Sequence, residues 1–125
     1  MVHGDILIID DVPAVLTTLE ELLQKEGYTT RTVIDGPAAL AALQAARPDL
    51  VLLDFHLIGM TGLQLLTAAQ DRGLEMGPVV LMTAVTPVIF PRRLTGIVAC
   101  VFKPFDTDLL LDCIARHICV GRSEK

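Results

Sequence analysis

Features that mark several protein classes are missing from this sequence. No apolar run approaches the ~20 residues of a membrane-spanning helix, so we expect no membrane contact. The start, Met1-Val2-His3-Gly4, lacks the basic and then apolar segments of a signal peptide. We therefore expect a protein that stays in the cytoplasm.

Basic clusters and cysteine frameworks are also missing. The net charge is −5 and no run of lysines and arginines offers a surface for nucleic acid, so we expect no direct nucleic-acid binding. The three cysteines, Cys100, Cys113 and Cys119, are odd in number and lack metal-ligand spacing. Reduced thiols are the expected state. The three histidines also lack ligand spacing, and we expect their side chains at the surface.

Short apolar runs are the main feature of the sequence. Apolar residues make up 52% of a chain of 125 residues, which predicts one domain over residues 1–125 with a core of about 4–120. Five segments are expected to be strands: 5–9, 28–33, 50–54, 78–82 and 97–102. The second is rich in threonine and is expected to lie half-exposed at a sheet edge.

About five helical segments alternate with these strands. They include 13–26, 38–46, a third that ends near Gly73, a fourth before the last strand, and a fifth capped by Asp106 or Thr107. The apolar face of the last helix is expected to include Leu109, Leu110, Cys113, Ile114 and Ile118. The alternation predicts an α/β fold, a doubly wound parallel sheet of five strands with helices on both faces.

Every candidate functional side chain follows one of the predicted strands. Asp10 and Asp11 follow the first, Asp54 ends the third, Thr83 follows the fourth and Lys103 the fifth. Ligands of such open sheets bind beyond the carboxyl ends of the strands. Because neighbouring strands are ~4.8 Å apart, we expect the three carboxylates to converge on one crevice.

Taken together, these motifs resemble the response-regulator receiver domain. Asp10-Asp11, Asp54, Thr83-Ala84 and Lys103-Pro104-Phe105 each follow the appropriate strand, and the resemblance covers nearly the whole chain. It implies a flavodoxin-like fold with strand order 2-1-3-4-5. It also implies two-component or phosphorelay signalling, in which a histidine kinase or histidine phosphotransfer protein donates a phosphoryl group to Asp54. Such a protein is not a turnover enzyme, and an output domain or partner outside this chain would carry the signal.

The residue types suit phosphoryl transfer to a carboxylate. A carboxylate can attack phosphorus when the charge on the phosphoryl oxygens is neutralised. Mg²⁺, with Mn²⁺ as the alternative, prefers oxygen ligands such as those of Asp10, Asp11 and Asp54. The resemblance adds the backbone carbonyl of His56 as a further metal ligand.

Two more residues are assigned catalytic roles beside Asp54. Lys103 brings a mobile positive charge to the phosphoryl group. Thr83 offers a hydroxyl that can donate to a phosphoryl oxygen, and the small Ala84 leaves room for access.

Two other classes of protein are alternatives to this interpretation. A haloacid-dehalogenase-like phosphohydrolase would have Asp-x-Asp after the first strand, whereas Val12 occupies the second carboxylate position here. A pseudo-receiver, which acts as an unphosphorylated interaction module, is disfavoured because all five site residues are present. The Gly-x-Gly-x-x-Gly pattern of a dinucleotide site is absent after the first strand.

The chain departs from the family pattern at two site-flanking positions. Family members commonly have proline four residues after the aspartate, where this chain has Ile58, and we expect a looser loop that still keeps Gly62. Three residues before the lysine the family usually has an aromatic residue that turns inward as the threonine moves. Here that residue is Cys100, so we expect the switch formed by Thr83 and Cys100 to be muted or replaced by another packing change.

Two prolines constrain the fourth helix. Between the fourth strand and the end of the fifth, roughly ten residues remain for a helix. Pro87 fits a first helical turn, but Pro91 would remove a hydrogen bond from a helix interior. We expect a helix that is short or irregular and begins near Pro91. A helix that starts at Pro87 and kinks at Pro91 is the alternative.

Overall fold

The computed structural model describes residues 4–84 and 96–118 of the chain. The strands are β1 (Asp5–Ile9), β2 (Thr29–Val33), β3 (Leu50–Asp54), β4 (His56–Leu57), β5 (Met60–Thr61), β6 (Val79–Thr83) and β7 (Ile97–Phe102). The helices are α1 (Pro13–Lys25), α2 (Gly36–Ala45), α3 (Gly62–Asp71) and α4 (Thr107–His117). Among these residues, no helix is both long and apolar enough to cross a membrane.

The five long strands form one parallel sheet in the order β2-β1-β3-β6-β7. Counting the long strands alone, this is the order 2-1-3-4-5, so the predicted doubly wound, flavodoxin-like topology is confirmed. The two-residue strands β4 and β5 pair with each other as a separate antiparallel hairpin.

Apolar clusters cover both faces of the sheet. One cluster joins β1, β3 and β6 to α2 and α3, and the other joins the same strands to α1 and α4. β3 and β6 are buried along their whole length, as expected of strands that have helices on both sides. β2 lies at the sheet edge and is half-exposed, as its threonines predicted.

The ends of the helices follow from local side-chain caps. Asp35 accepts a hydrogen bond from the Ala38 N–H, so α2 begins at Gly36, two residues earlier than predicted. Asp106 caps α4 in the same way through the Leu109 N–H. The prediction that Asp106 or Thr107 caps the last helix is therefore confirmed for Asp106.

The predicted apolar face of the last helix was wrong at one residue. Leu109 is 65% exposed, whereas Leu110 and Ile114 are fully buried. Successive helical residues are about 100° apart, so adjacent leucines cannot share one narrow stripe. The predictions about the fourth helix and Pro87 and Pro91 fall on residues 85–95, outside the described residues.

Candidate functional site

Three carboxylates meet at the carboxyl ends of β1 and β3. One carboxylate oxygen of each of Asp10, Asp11 and Asp54 lies within 4.8 Å of the others, which is the convergence that the sequence predicted. Asp10 is 0% exposed and Asp54 is 5% exposed, while Asp11 is partly exposed. The cluster arises from strand register, because Ile9 lies opposite Leu53 and the residues that follow emerge side by side.

One lysine lies between two of these carboxylates. Lys103 follows β7, and its Nζ is 2.9 Å from Asp10 Oδ2 and 3.3 Å from Asp54 Oδ1. Its backbone N–H donates to the Thr83 carbonyl at 2.8 Å, which ties the end of β7 to the end of β6. The Lys103–Pro104 peptide bond that follows is cis. Two of the three carboxylates thus pair with one ammonium group, and the cluster carries an excess of negative charge.

Burial and crowding shift the protonation of this cluster. The pKa of Asp54 is raised, first because burial disfavours its charged form and then because Asp10 carries the same charge. The Lys103 ammonium lowers this pKa without cancelling the rise. Burial lowers the pKa of Lys103, but hydrogen bonding and charge attraction from Asp10 and then Asp54 outweigh it, so that pKa is raised. Lys103 therefore stays protonated at neutral pH.

Thr83 lies at the same end of the sheet. It is the last residue of β6, it is 1% exposed, and it follows Met82, which lies opposite Asp54 in the register. The next residue, Ala84, is exposed. The strand ends therefore bring together the five residues predicted from the sequence, with an open position beside them.

Cys100 lies on β7, on the face of the sheet that α2 and α3 cover. It is partly buried and packs against that apolar cluster, and burial raises the pKa of its thiol. Cys100 and Cys113 are free thiols, as predicted, and Cys119 lies outside the described residues. His56 is exposed, as predicted, but His117 is partly buried, with its Nδ1 3.0 Å from the Cys113 carbonyl oxygen. His3 lies outside the described residues.

The loop after Asp54 is more regular than the sequence indicated. The loop expected after Asp54, residues 55–62, contains the hairpin of β4 and β5, in which His56 pairs with Thr61. The His56 N–H points to Asp54 Oδ1 at a distance of 3.4 Å. Thr61 and Gln64 form a reciprocal capping box at the start of α3. The spacing Thr-x-x-Gln is the signal that could have located the start of α3.

Comparison with known proteins decides the family. Residues 6–115 match the response regulator receiver domain family. The chain belongs to this family. Receiver domains are signalling modules of two-component systems, and the predicted resemblance is confirmed.

Relatives of this receiver domain differ greatly in length. Sporulation initiation phosphotransferase F of Bacillus subtilis (strain 168) is 34% identical over 122 residues, which cover 94% of this chain and 96% of that protein. Nitrogen assimilation regulatory protein NtrX of Azorhizobium caulinodans is 38% identical over 124 residues, which cover 94% of this chain but 26% of that protein. The receiver domain thus spans nearly all of one relative and about a quarter of another.

Solved structures show the same fold. A CheY-like response regulator receiver domain protein from Methanospirillum hungatei JF-1 superposes with a TM-score of 0.83 at 27% identity, covering 91% of this chain and 93% of that one. Chemotaxis protein CheY4 of Vibrio cholerae gives a TM-score of 0.80 at 27% identity, covering 94% of this chain and all of that one.

The donor atoms of the receiver site suit a hard divalent cation. The three clustered ligands are carboxylate oxygens, which Mg²⁺ and Mn²⁺ prefer over nitrogen or sulfur. Their mutual repulsion is only partly offset by Lys103, and burial prevents water from screening it fully. The cluster can therefore hold a divalent cation.

Proposed function

We propose that this receiver domain acts in the cytoplasm as a phosphoryl acceptor, with Asp54 as the modified residue. The observation that carries the proposal is the position of Asp54 within the carboxylate cluster and beside Lys103, whose Nζ lies 3.3 Å from Asp54 Oδ1. A carboxylate in this position has both a neutralising cation and a neighbouring metal-ligand set. The exposed Asp112, by contrast, has an arginine partner in Arg116 but does not belong to the carboxylate cluster.

The proposed reaction moves a phosphoryl group from a histidine to Asp54. A bond forms between an Asp54 oxygen and phosphorus as the P–N bond of the donor phosphohistidine breaks. The electron pair of the P–N bond returns to the imidazole, which takes up a proton from solvent. The product is an aspartyl phosphate, so each chain is modified once and does not act as a turnover enzyme.

Residues around Asp54 would bind the metal ion and neutralise the charge of the phosphoryl group. Asp10, Asp11, Asp54 and the backbone carbonyl of His56 would hold Mg²⁺ or Mn²⁺, which supplies positive charge beside the phosphoryl oxygens. Lys103 has its Nζ 2.9 Å from Asp10 Oδ2. Because its side chain is flexible, its ammonium group would move with the incoming phosphoryl group.

The partner that this chemistry requires is a protein bearing phosphohistidine. We propose a histidine kinase or a histidine phosphotransfer protein as the donor. The relative from Bacillus subtilis is named as a phosphotransferase, and the one from Azorhizobium caulinodans as a regulatory protein. Both names suit a role between a donor and a downstream output, which would be a further domain or a separate protein.

The response to phosphorylation is proposed to begin at Thr83. Its hydroxyl would turn toward the phosphoryl group from the end of β6, where its side chain is buried. Cys100 cannot fill the vacated space as an aromatic ring would, because a thiol is much smaller. On adding beryllofluoride, backbone amide shifts in β7 should be smaller than those around Thr83; equal shifts in both places would contradict a muted switch.

Phosphorylation by a small donor tests the acceptor role. The protein is incubated with Mg²⁺ and acetyl phosphate or phosphoramidate, and its mass is measured before and after hydroxylamine. We expect one phosphoryl group that is stable to acid and labile to hydroxylamine. Asp54→Ala should abolish it, while Asp71→Ala, which removes an exposed carboxylate at the end of α3, should not.

Two outcomes would overturn the proposal. An adduct that persists in Asp54→Ala would place the acceptor elsewhere. A parent protein that stays unmodified by small donors and by phosphohistidine proteins would instead indicate a pseudo-receiver.

A further inference from the structure

The hairpin after Asp54 is anchored at both of its strands. β4 contributes Leu57, which is 8% exposed and lies in the apolar cluster under α2 and α3. β5 contributes Met60, which pairs with Leu57 and packs against the same cluster. Between them, Ile58 is 76% exposed and Gly59 has a φ of +87°. The hairpin thus has two apolar anchors and an exposed tip.

Met60 occupies a recess that exists because residue 36 is glycine. A Cβ built on Gly36 would overlap Met60 Sδ and would lie 2.9 Å from Met60 Cε. Gly36 is the first residue of α2, directly after the capping residue Asp35. The hairpin is therefore joined to the start of a neighbouring helix by one side chain seated over one glycine.

A second glycine, Gly62, packs closely against the backbone of Asp54 and Phe55. A Cβ on Gly62 would lie 2.7 Å from the Asp54 carbonyl oxygen and 3.2 Å from Phe55 Cα. The Gly62 N–H also donates to the Phe55 carbonyl. The start of α3 thus touches the backbone of the acceptor itself, and a clash there would move backbone rather than a flexible side chain.

The turn at the tip of the hairpin depends on the two apolar anchors, Leu57 and Met60, for part of its order. A two-residue turn whose second residue has positive φ has the form of a type II turn, in which proline is favoured at the first position. This chain has Ile58 there, so the turn lacks the fixed φ that proline supplies. Its geometry must come from Leu57 and Met60 instead.

We propose that Met60, seated over Gly36, is a positioning residue for the acceptor site. It holds β5 and, through the pairing of His56 with Thr61, sets the position of the His56 carbonyl and of the His56 N–H that faces Asp54 Oδ1. This inference rests on the proposed function, because the His56 carbonyl matters only if a cation and a phosphoryl group are bound there. Met60 itself touches neither.

Four variants test the positioning role through Mg²⁺ affinity, measured by calorimetry and by the amide shift of His56. Met60→Ala removes the anchor, and Gly36→Ala displaces the far end of its flexible side chain. Met60→Ala should weaken Mg²⁺ binding by about tenfold, the lower end of losses seen when support around metal ligands is removed, and Gly36→Ala should weaken it less. The double variant should be no weaker than Met60→Ala alone, because Gly36→Ala has nothing to displace once Met60 is gone. Met60→Leu should restore most of the affinity.

Met76→Ala is the matched control. Met76 is also a half-buried methionine that packs on the same apolar cluster, but it precedes β6 at the opposite end of the sheet. We expect it to lower stability without changing Mg²⁺ affinity or the His56 shift. Circular dichroism of each variant, recorded at the temperature of the titration, confirms that it is folded.

The outcomes separate this inference from the proposed function. If the parent binds Mg²⁺ and is phosphorylated, and Met60→Ala matches Met76→Ala in both readouts, Met60 has only a packing role and the inference is wrong. Losses that add in the double variant would contradict the shared recess. If the parent neither binds Mg²⁺ nor is phosphorylated, the proposed function fails first.

Discussion

The two ends of the sheet both carry aspartates and a cation, but they balance charge differently. At the amino end, Arg31 Nη2 lies 2.7 Å from Asp5 Oδ2. The Arg31 guanidinium also donates to the carbonyls of Ala42 in α2 and of Ala46, the residue that follows this helix. Asp49 accepts a hydrogen bond from the Asp5 N–H. At this end most charged groups have partners within the protein.

At the carboxyl end the charges do not match. Three carboxylates cluster there, and the two that pair with Lys103, Asp10 and Asp54, are almost completely buried. Buried charge without full compensation is costly, and proteins keep it where it has a use. The difference suits the proposed function, in which a cation and a phosphoryl group complete the carboxyl end, whereas the amino end is balanced by residues of the protein itself.

Removing the lysine should have the largest effect. Lys103→Ala leaves Asp10 buried without its 2.9 Å partner, and we expect a loss of about 3 kcal/mol in the free energy of unfolding in chelated buffer. Saturating Mg²⁺ should recover part of this loss, because a cation would again face the carboxylates. Urea denaturation with and without Mg²⁺ measures both values. A loss that is identical in both buffers would mean that no cation substitutes for the lysine.

The raised pKa of Asp54 predicts a dependence of stability on pH. Because the folded state holds this proton more tightly than the unfolded state, stability is greatest below the unfolded pKa and falls as pH rises through the folded one. Ionised Asp54 therefore costs stability at neutral pH. Asp54→Asn should be more stable than the parent at pH 7 without metal, and the gain should vanish near pH 4, a value close to the ordinary pKa of about 3.9. An equal gain at both pH values would contradict this cause.

A substitution at the amino end should lower the free energy of unfolding less, and by the same amount with and without Mg²⁺. Arg31→Ala breaks an ion pair in which both side chains are 29% exposed, so solvent already screens it. We expect a loss of about 1 kcal/mol, including the hydrogen bonds to α2. The same urea titrations provide the measurement. A Mg²⁺-dependent loss in this variant would break the contrast between the two ends.

The smallest effect is expected at the tip of the carboxyl-end hairpin. Ile58→Pro should raise the free energy of unfolding by about 0.5 kcal/mol, because it fixes φ in a turn that already accepts that value. Leu57, in an extended strand, suits a residue before proline. Destabilisation in this variant, detected by thermal unfolding, would show that the turn differs from type II.

The sheet could be predicted from the sequence because its strands are short apolar runs bounded by turn residues. β3 and β6 are buried on both faces, so each is a continuous apolar run without alternating polar residues. The residues at the ends of the strands were the predicted site residues. Leu109 was misplaced because three successive leucines leave the helical phase ambiguous until packing selects one stripe.

The hairpin of β4 and β5 could not be predicted by the same means. Each of its strands has two residues, too few to show a period, and its order comes from contacts distant in sequence, such as Met60 over Gly36. The ion pair between Lys103 and Asp10 could not be predicted either. The strand order brings residues 10 and 103 to one edge of the sheet but does not say which carboxylate the lysine contacts.

Mg²⁺-dependent unfolding of the parent and of Asp11→Asn tests most directly whether the carboxyl end is completed by a cation. Asp11 is the most exposed of the three carboxylates, so its replacement should disturb folding little. In the parent, Mg²⁺ at 100 times its dissociation constant should raise the free energy of unfolding by about 2.7 kcal/mol through mass action. The gain should be much smaller in Asp11→Asn at the same Mg²⁺ concentration. An Asp11→Asn variant with the full Mg²⁺ gain, or a parent with none, would contradict a cation site built from these three residues.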